Sequence, residues 1–446
     1  MGFEGRIVAA GMLALAAMAG LAGAGAASAG APAAGARVID IADRAALVAA
    51  LAAARGGETL RLAPGAYGQI AIAGRVFPAA VTLQSRDAAR PARLNGVAVS
   101  ASANLVFRQL DIGRALAPGE PDFTQLSTVT DSRAVRFDRI FFHGSRDGTP
   151  ANDAWGLYVV GSSGIEIAGS RFEELMRAYI FDRSSDIAVI GNSFRLIRSD
   201  AGDFAAVDRV VVRGNSYRDF MPRADDHPDA IQFWTNGQQR GSSDILIEDN
   251  VIMQGDGVGP QGIFIRDEQK RYPYRNLVIR NNLIYTEDQW EGISVEGAAD
   301  VEVSGNSVLS PLDRQKQAWI RLENVGRATV TGNVTVRYVG PAAGGPHVVR
   351  DNSVLIEDRA LVRRLGGLKP GARPEAERLL IPGRGYRPPA PAAEPAAGRA
   401  MGGAECRSRP GCKAGSCRRS RCCRRSCRCA RRRAGRRRAA RSSSPA

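Results

Sequence analysis

The first 400 residues contain no cysteine. All seven cysteines lie between Cys406 and Cys429, so disulfides cannot hold the body of the chain together. Their positions (406, 412, 417, 422, 423, 427 and 429) include no C-x-x-C pair and no histidine nearby. That excludes the common zinc patterns. Histidine is scarce as well: His143, His227 and His347 are the only three. The body also lacks an excess of either charge. Residues 401–446 hold fifteen arginines, Lys413 and one acid, Glu405, so +15 of the net +16 belongs to this tail and about +1 remains for residues 1–400. No basic face for nucleic acid is implied for the folded part. After residue 30 no apolar run is long enough to cross a bilayer.

The two ends differ in composition from the middle. Arg6 precedes the small-residue apolar stretch "IVAAGMLALAAMAGLAGA", and "ASA" at Ala27–Ala29 fits a small-x-small cleavage site. Residues 1–29 are expected to be a signal peptide and the mature protein to be periplasmic or secreted; a membrane anchor is the alternative. Residues 361–400 are expected to be a Pro/Ala-rich linker, a composition plainest in "GYRPPAPAAEPAAGRAMGG" (385–403). The Arg/Cys-rich tail 401–446 reads as low complexity, either disordered or an out-of-frame artefact of GC-rich codons, with a polybasic arm for anionic surfaces as the alternative.

The middle is a repeat. Seven segments share one form: "IEIAGSRF" (165–172), "IAVIGNSF" (187–194), "VVVRGNSY" (210–217), "ILIEDNVI" (245–252), "LVIRNNLI" (277–284), "VEVSGNSV" (301–308) and "ATVTGNVT" (328–335). Each alternates apolar and other residues, then turns at Asn192, Asn215, Asn250, Asn282, Asn306 or Asn333, with Ser170 in the first copy. Asparagine tolerates the left-handed backbone that a sharp bend needs. A second strand set lies between: "GLYVVG", "AYIFDR", "AIQFWT", "GIFIRD", "GISVEG" and "WIRLEN". Short strands recurring at coil intervals of 22 to 35 residues predict an all-β, right-handed parallel β-helix over residues 30–360. A sandwich or barrel would show hairpin turns instead.

The front end agrees. An amphipathic helix is predicted from about Ala45 to Ala54, followed by a strand in "ETLRLAPGAY". Leu47, Ala50, Leu51, Ala54 and Gly57, then Thr59, Leu62, Gly65 and Tyr67, match an L-x-x-A-L-x-x-A-x-x-G helix and a T-x-x-L-x-x-G-x-Y strand. In these residues the chain resembles the exported β-helix family that includes pectate-lyase-like and alginate-active enzymes. The resemblance implies an N-terminal helix capping the first coil, whose open edge would otherwise pair with other chains. It implies no catalytic residue. The N-T-D and G-H-G motifs of the pectin hydrolases and the K-S motif of chondroitinase-type lyases are absent. The D-P-H of alginate epimerases has only a reordered relative in Asp226-His227-Pro228-Asp229.

Strand alternation places the chemistry. With Ile231/Phe233, Ile263/Ile265, Ile293/Val295 and Ile320/Leu322 turned inward, one outward column is Tyr158, Ile180, Gln232, Phe264, Ser294, Arg321. The next is Val160, Asp182, Trp234, Arg266, Glu296, Glu323, with Asp229, Gln261 and Glu291 just ahead of the strands. The middle strand between Asn192 and Asn215 has no clear place. Long loops flank this patch, and loops on a rigid scaffold are where binding concentrates. An acidic polysaccharide is the expected partner. Trp234, Tyr272, Tyr274 and Trp290 are candidates to stack on sugars. Arg223, Arg266, Lys270 and Arg271 are candidates to pair with uronate carboxylates. His227 is the expected base for β-elimination, oriented by an aspartate such as Asp229, with Arg266 holding the carboxylate and Lys270 or Arg271 as the alternative base. Gln232, Glu296, Arg321 and Glu323 complete the substrate-binding set. Asp225 and Asp226 are candidate Ca²⁺ ligands, or a solvated acidic turn. Asp226/Asp229 or Glu296/Glu323 would suit a glycosidase pair. His143 and His347 read as structural. The expected activity is a uronan lyase, with a C5-epimerase, a hydrolase and a non-catalytic glycan-binding β-helix as alternatives.

Overall fold

A computed structural model describes residues 37–365 and 368–390. The expected signal peptide, the last part of the linker and the Arg/Cys tail lie outside the described residues. Each coil contributes one strand to each of three parallel sheets. In one coil these are Trp155–Val160 (sheet 1), Ser163–Ala168 (sheet 2) and Arg171–Leu175 (sheet 3); in the next they are Arg177–Asp182, Ser185–Ile190 and Ser193–Ile197. Every strand pairs in parallel with its counterpart one coil away, as in Leu157 with Tyr179, Ile165 with Ile187 and Phe172 with Phe194. The architecture is the predicted right-handed parallel β-helix.

Alternation buries one side chain in two, and successive coils stack like on like. Phe142, Phe172, Phe194 and Tyr217 form one internal column with ring centroids 4.7, 4.9 and 4.6 Å apart. Phe181, Phe204 and Phe233 form another, at 5.6 and 4.5 Å. Near-parallel stacking at these spacings adds to simple area burial.

The asparagines serve a different purpose from the one their turn position suggests. The left-handed residue is the one before each: Gly191 (φ 63°), Gly214 (φ 63°), Asp249 (φ 59°), Asn281 (φ 51°), Gly305 (φ 62°) and Gly332 (φ 66°). The asparagine itself is buried between sheets 2 and 3. Its Oδ1 accepts from the backbone N–H of the asparagine one coil before, as in Asn192 to Asn215 (2.9 Å), Asn215 to Asn250 (3.0 Å) and Asn250 to Asn282 (3.1 Å). Its Nδ2 donates to a strand carbonyl of the preceding coil, as Asn250 does to Val212 (2.9 Å). At the corner between sheets 1 and 2 serines play the same part: the N–H groups of Ser102, Ser132 and Ser162 donate to Oγ of Ser132, Ser162 and Ser184. Corner backbone that no strand can satisfy is thereby paired.

Helix α1 (Arg44–Ala53) is capped by Asp43, whose side chain accepts from Ala46 N, and it buries Leu47 and Leu51. It is held to the first coils by Arg44, whose Nη1 donates to Tyr67 O (2.5 Å) and Gln69 O (2.6 Å).

At the other end the structure corrects the domain boundary. Residues 361–365 and 368–386, in the stretch expected to be a linker, close over the outer face of sheet 3. Leu361, Leu365, Leu368, Leu379, Ile381 and Tyr386 are buried against Leu283, Tyr285, Leu309, Val334 and Val336. The cause lies in the sheet: its outward residues here are apolar and need a cover. Helix α2 (Arg359–Arg364) opens this strap. Among the described residues no helix is long and apolar enough to cross a membrane.

Replacing Asn250 by Ala would strip the Asn215 N–H and the Val212 carbonyl of partners inside the protein. Urea unfolding should show a loss of about 3 kcal/mol, since each orphaned buried group costs on the order of 1–3 kcal/mol.

Candidate functional site

The outward columns of sheet 1 form as the alternation predicts, and the missing strand fills a gap in them. Gly202–Ala205 is the sheet 1 strand between Asn192 and Asn215. It aligns Asp203 between Ile180 and Gln232, and Ala205 between Asp182 and Trp234. Beyond it Gln232, Phe264, Ser294 and Arg321 run in register, as do Trp234, Arg266, Glu296 and Glu323. Above this face opens a cleft of about 570 Å³ lined by Arg177, His227, Gln232, Trp234, Gln261 and Arg266, with Asn236, Phe264, Glu268 and Glu291 around them.

Beneath the cleft lies an excess of acid. Asp200, Asp203 and Asp229 are at most 1 % exposed. Arg177 answers two of them. Its Nη1 is 2.9 Å from Asp200 Oδ2 and also binds Asp203 Oδ2. Asp229 N donates to Asp200 Oδ1 (2.9 Å), and Gln232 Nε2 donates to Asp229 Oδ2 (2.8 Å). Asp203 Oδ1 and Asp229 Oδ1 are sealed off without a partner. An ionised oxygen so placed is costly, and the neutral form is favoured. Burial pushes Asp203 up to about 8 against the pull of Arg177, and the charge of Asp200 adds to the rise. Burial likewise pushes Asp229 up to about 7. Asp200 is raised for the same reason.

His227 is the exposed member, with 72 % of its side chain open to solvent and Nδ1 at 3.7 Å from Asp229 Oδ2. That separation is an ion pair rather than a full hydrogen bond. Contact with the Asp229 carboxylate raises the imidazole to about 9, against a smaller opposing effect of burial. At neutral pH His227 is therefore an imidazolium. This corrects the expectation of a base with an unperturbed pKa near 6.5: proton abstraction by His227 needs alkaline pH. Asp200, His227 and Asp229 also place one ligand atom each within 4.8 Å of one another.

The other expected site residues divide. Gln232, Trp234 and Arg266 line the cleft. Glu296 sits beside it, bound to Arg266 (2.9 Å). Arg321 pairs with Glu323, one strand further along the same face. Lys270, Arg271 and Tyr272 are not in the lining; Lys270 and Arg271 are exposed, and Arg271 lies 5.0 Å from the Tyr272 ring centre.

Arg223 is turned away and donates to Pro150 O (3.1 Å) and Ala151 O (2.8 Å). Tyr274 is wholly buried, edge-on to Phe233 with its hydroxyl on Arg266 O (2.9 Å), so it cannot stack on a sugar. Trp290 stacks on Trp319 at 4.9 Å. Asp226 is not an open metal ligand, because Arg198 Nε (2.9 Å) and Arg223 N (2.9 Å) occupy its carboxylate, and Asp225 is exposed beside it. His143 is buried, with Nε2 2.8 Å from Asp111 Oδ1.

Sequence reasoning missed Arg177, Asp200 and Asp203. The available signal was Phe204, which repeats the inward Phe181 and Phe233. It was masked because Gly202 stands where those strands carry a large residue, its side-chain space being filled by the Tyr179 ring.

A family model described as a right handed beta helix region matches residues 129–335. The chain has the right-handed β-helix fold. No curated protein sequence matches it. Among solved structures it is similar to an alginate lyase from Paenibacillus sp. str. FPU-7, with 14% identity, TM-score 0.38, and coverage of 71% of this chain and 99% of that one. It is also similar to the periplasmic alginate epimerase AlgG, with 13% identity, TM-score 0.43, and coverage of 69% and 70%. A third is PfbA, a surface adhesin of Streptococcus pneumoniae, with 11% identity, TM-score 0.45, and coverage of 65% and 86%.

Asp203, Asp229 and His227 all have folded pKa values above their ordinary ones. Each therefore stabilises the fold below its ordinary pKa and loses that contribution as pH rises through the raised value. The windows are about pH 4–8 for Asp203, 4–7 for Asp229 and 6.5–9 for His227. The thermal midpoint should fall between pH 6 and 9, and His227→Ala should flatten the upper part of that decline in differential scanning fluorimetry.

Proposed function

We propose that this β-helix is an exported or periplasmic enzyme that cleaves an acidic, uronic-acid-containing polysaccharide by β-elimination, with His227 and Asp229 as its proton-transfer pair. The observation that carries this reading is an exposed imidazole set against a fully buried carboxylate at the floor of an open cleft. Trp234 and Arg266 stand on successive coils beside it. The scaffold presents a ladder of side chains along the helix axis, which suits an extended polymer better than a small compact ligand.

Elimination needs a positive or hydrogen-bonding group on the uronate carboxylate, a base for the C5 proton and a donor for the departing glycosidic oxygen. Arg266 supplies the first. It is tied to Glu296 through Nε at 2.9 Å and is 46 % exposed, so part of the guanidinium is free to meet a carboxylate. Neutral His227 takes the C5 proton through its imidazole. Asp229 then holds the imidazolium that forms, at a site where the buried carboxylate already favours that charge. The same imidazolium can return the proton to the leaving oxygen. Trp234 offers a flat apolar face for a neighbouring sugar. Arg177 pairs with Asp200 and Asp203 and offsets part of the acidic charge of the floor.

A hydrolase is favoured by one observation: His227 carries its proton at neutral pH and is poised as an acid. A C5-epimerase would share the first step of elimination and leave the chain uncut.

The pH–rate profile separates base from acid. As a base, His227 should make kcat/KM rise with pH toward a midpoint of about 9; as an acid, it should make the rate fall there. Incubation with alginate, pectate, glucuronan and chondroitin should yield absorbance from unsaturated ends. Reducing ends without unsaturation would indicate hydrolysis, and C5 hydrogen exchange without cleavage would indicate epimerisation. His227→Ala should lower kcat at least ~10²-fold, the usual scale of a lost acid–base group, with the thermal midpoint nearly unchanged above pH 9, where the imidazole no longer contributes its ion pair with Asp229.

A further inference from the structure

His227 is placed by its backbone rather than by its side chain. Nδ1 stands 3.7 Å from Asp229 Oδ2, too far for a hydrogen bond to fix the ring, and 72 % of the side chain is open to solvent. On its C-terminal side the backbone is pinned to the solenoid. Gln261 N donates to Pro228 O (2.8 Å), and Asp229 N donates to Asp200 Oδ1 (2.9 Å). On its N-terminal side the last such anchor is Met221, whose N donates to Ile197 O (2.9 Å). Across residues 222–227 the one backbone–backbone hydrogen bond among the described residues runs from Asp226 N to Arg223 O (3.1 Å), inside the loop itself.

Arg198 supplies the missing tie. It follows the sheet 3 strand Ser193–Ile197, and its own N donates to Leu175 O (2.9 Å), so its backbone belongs to the rigid coil. The residue is buried. Its Nε (2.9 Å) and Nη2 (3.4 Å) reach the two carboxylate oxygens of Asp226, the residue before His227. Its Nη1 (2.8 Å) reaches Asp122 Oδ2, in the loop ahead of the strand Gln125–Thr130. One guanidinium thus ties two loops to the coil, a fork that arginine offers and lysine does not. Against burial, Arg198 and the Arg223 N–H hold the Asp226 carboxyl below its usual range, so the pair stays charged at neutral pH. The other tie, from Arg223 to Pro150 O and Ala151 O, is exposed and ends on another loop. Arg198 is not in the cleft lining, so it acts through its neighbours and not on a substrate.

We propose that Arg198 is a positioning residue: through Asp226 it sets where the His227 imidazole stands over Asp229. The catalytic part of this inference rests on the reading of His227 as the group that moves the proton. Pro228 stiffens the link, because a residue before proline is confined to extended backbone and cannot take up slack by coiling. A displacement of Asp226 is therefore passed on to His227. Small displacements matter at such a site, where a misplacement of about 1 Å can cost roughly 10²-fold in rate. A clamp that served stability alone would lower the thermal midpoint and leave the turnover of the folded protein as it was.

Arg198→Ala in the full chain tests this through two readouts. On the polymer that the wild-type chain cleaves, kcat should fall about 10²-fold with KM little changed, and guanidinium ion, at concentrations that leave the fold intact, should restore part of it. Without substrate, the His227 ring signals in an NMR spectrum of histidine-labelled protein, assigned by their loss in His227→Ala, should shift in Arg198→Ala and move back as guanidinium is added. Arg209→Ala breaks a two-point pair with Asp186 on sheet 2 and should change neither readout. If Arg198→Ala does not fold, Asp226→Asn, which keeps the side chain's shape and removes its charge, should give the same changes to a smaller degree. Unmoved His227 signals overturn the proposal. So does a kcat that stays at the wild-type value, or one that falls equally in Arg209→Ala. If the wild-type chain cleaves none of the polymers and the ring signals still shift, the proposed activity fails and the positioning role stands.

Discussion

The whole solenoid depends on satisfying backbone groups at corners, where strands stop and ladders end. Strand pairing takes care of the flat sheets. At the corner between sheets 2 and 3 a side-chain amide stands in for the missing strand, accepting from one coil and donating to another. Because each asparagine needs the next, the corner can only be built as a continuous file, from Ser170 through Asn192 to Asn352. The file fixes where each coil bends, and this in turn fixes which residues of sheet 1 face out. The columns of the cleft are a consequence of amide pairing on the other side of the molecule.

Sheet 1 carries a charge imbalance beneath the cleft. Elsewhere arginines and acids alternate between coils, as in Arg209 with Asp186 and Arg280 with Glu248. Under the cleft three buried aspartates have one buried cation, Arg177, bound to Asp200 and Asp203, and the shortfall pushes Asp203 and Asp229 toward the neutral form. Such clusters cost stability, and proteins keep them where proton transfer or charge stabilisation is needed. The imidazole at the surface is the outlet of that imbalance: its charge is drawn up by the carboxylates below it.

The fold was legible in the chain because two signals agree, the two-residue alternation and the recurrence of asparagine at coil intervals. The outward columns followed from the same alternation, and Gln232, Trp234, Arg266 and Glu296 stand where it placed them. What alternation does not describe was misread. Tyr274 lies outside the named strands, at an isolated bridge to Ala298, and its ring turns inward. Asp203 was invisible because a strand is recognised by its inward residues, and here one of them is a glycine yielding its space to Tyr179. Asp226 and Arg223 were offered as ligands because sequence shows a charge and not its partner; Arg198 and the Pro150–Ala151 carbonyls claim them. The asparagine column was found for a conformational reason and proved to be a hydrogen-bonded one.

The segments between coils differ in length by more than a dozen residues, from 22 between Ser170 and Asn192 to 35 between Asn215 and Asn250, yet the amide file runs through both without a break. Length is absorbed entirely at the rim. Walls of the trough are thus modular, exchangeable pieces on a chassis whose pitch never changes, and a graft of foreign loop at 236–242 or 268–274 would alter what the trough admits while leaving its floor in register.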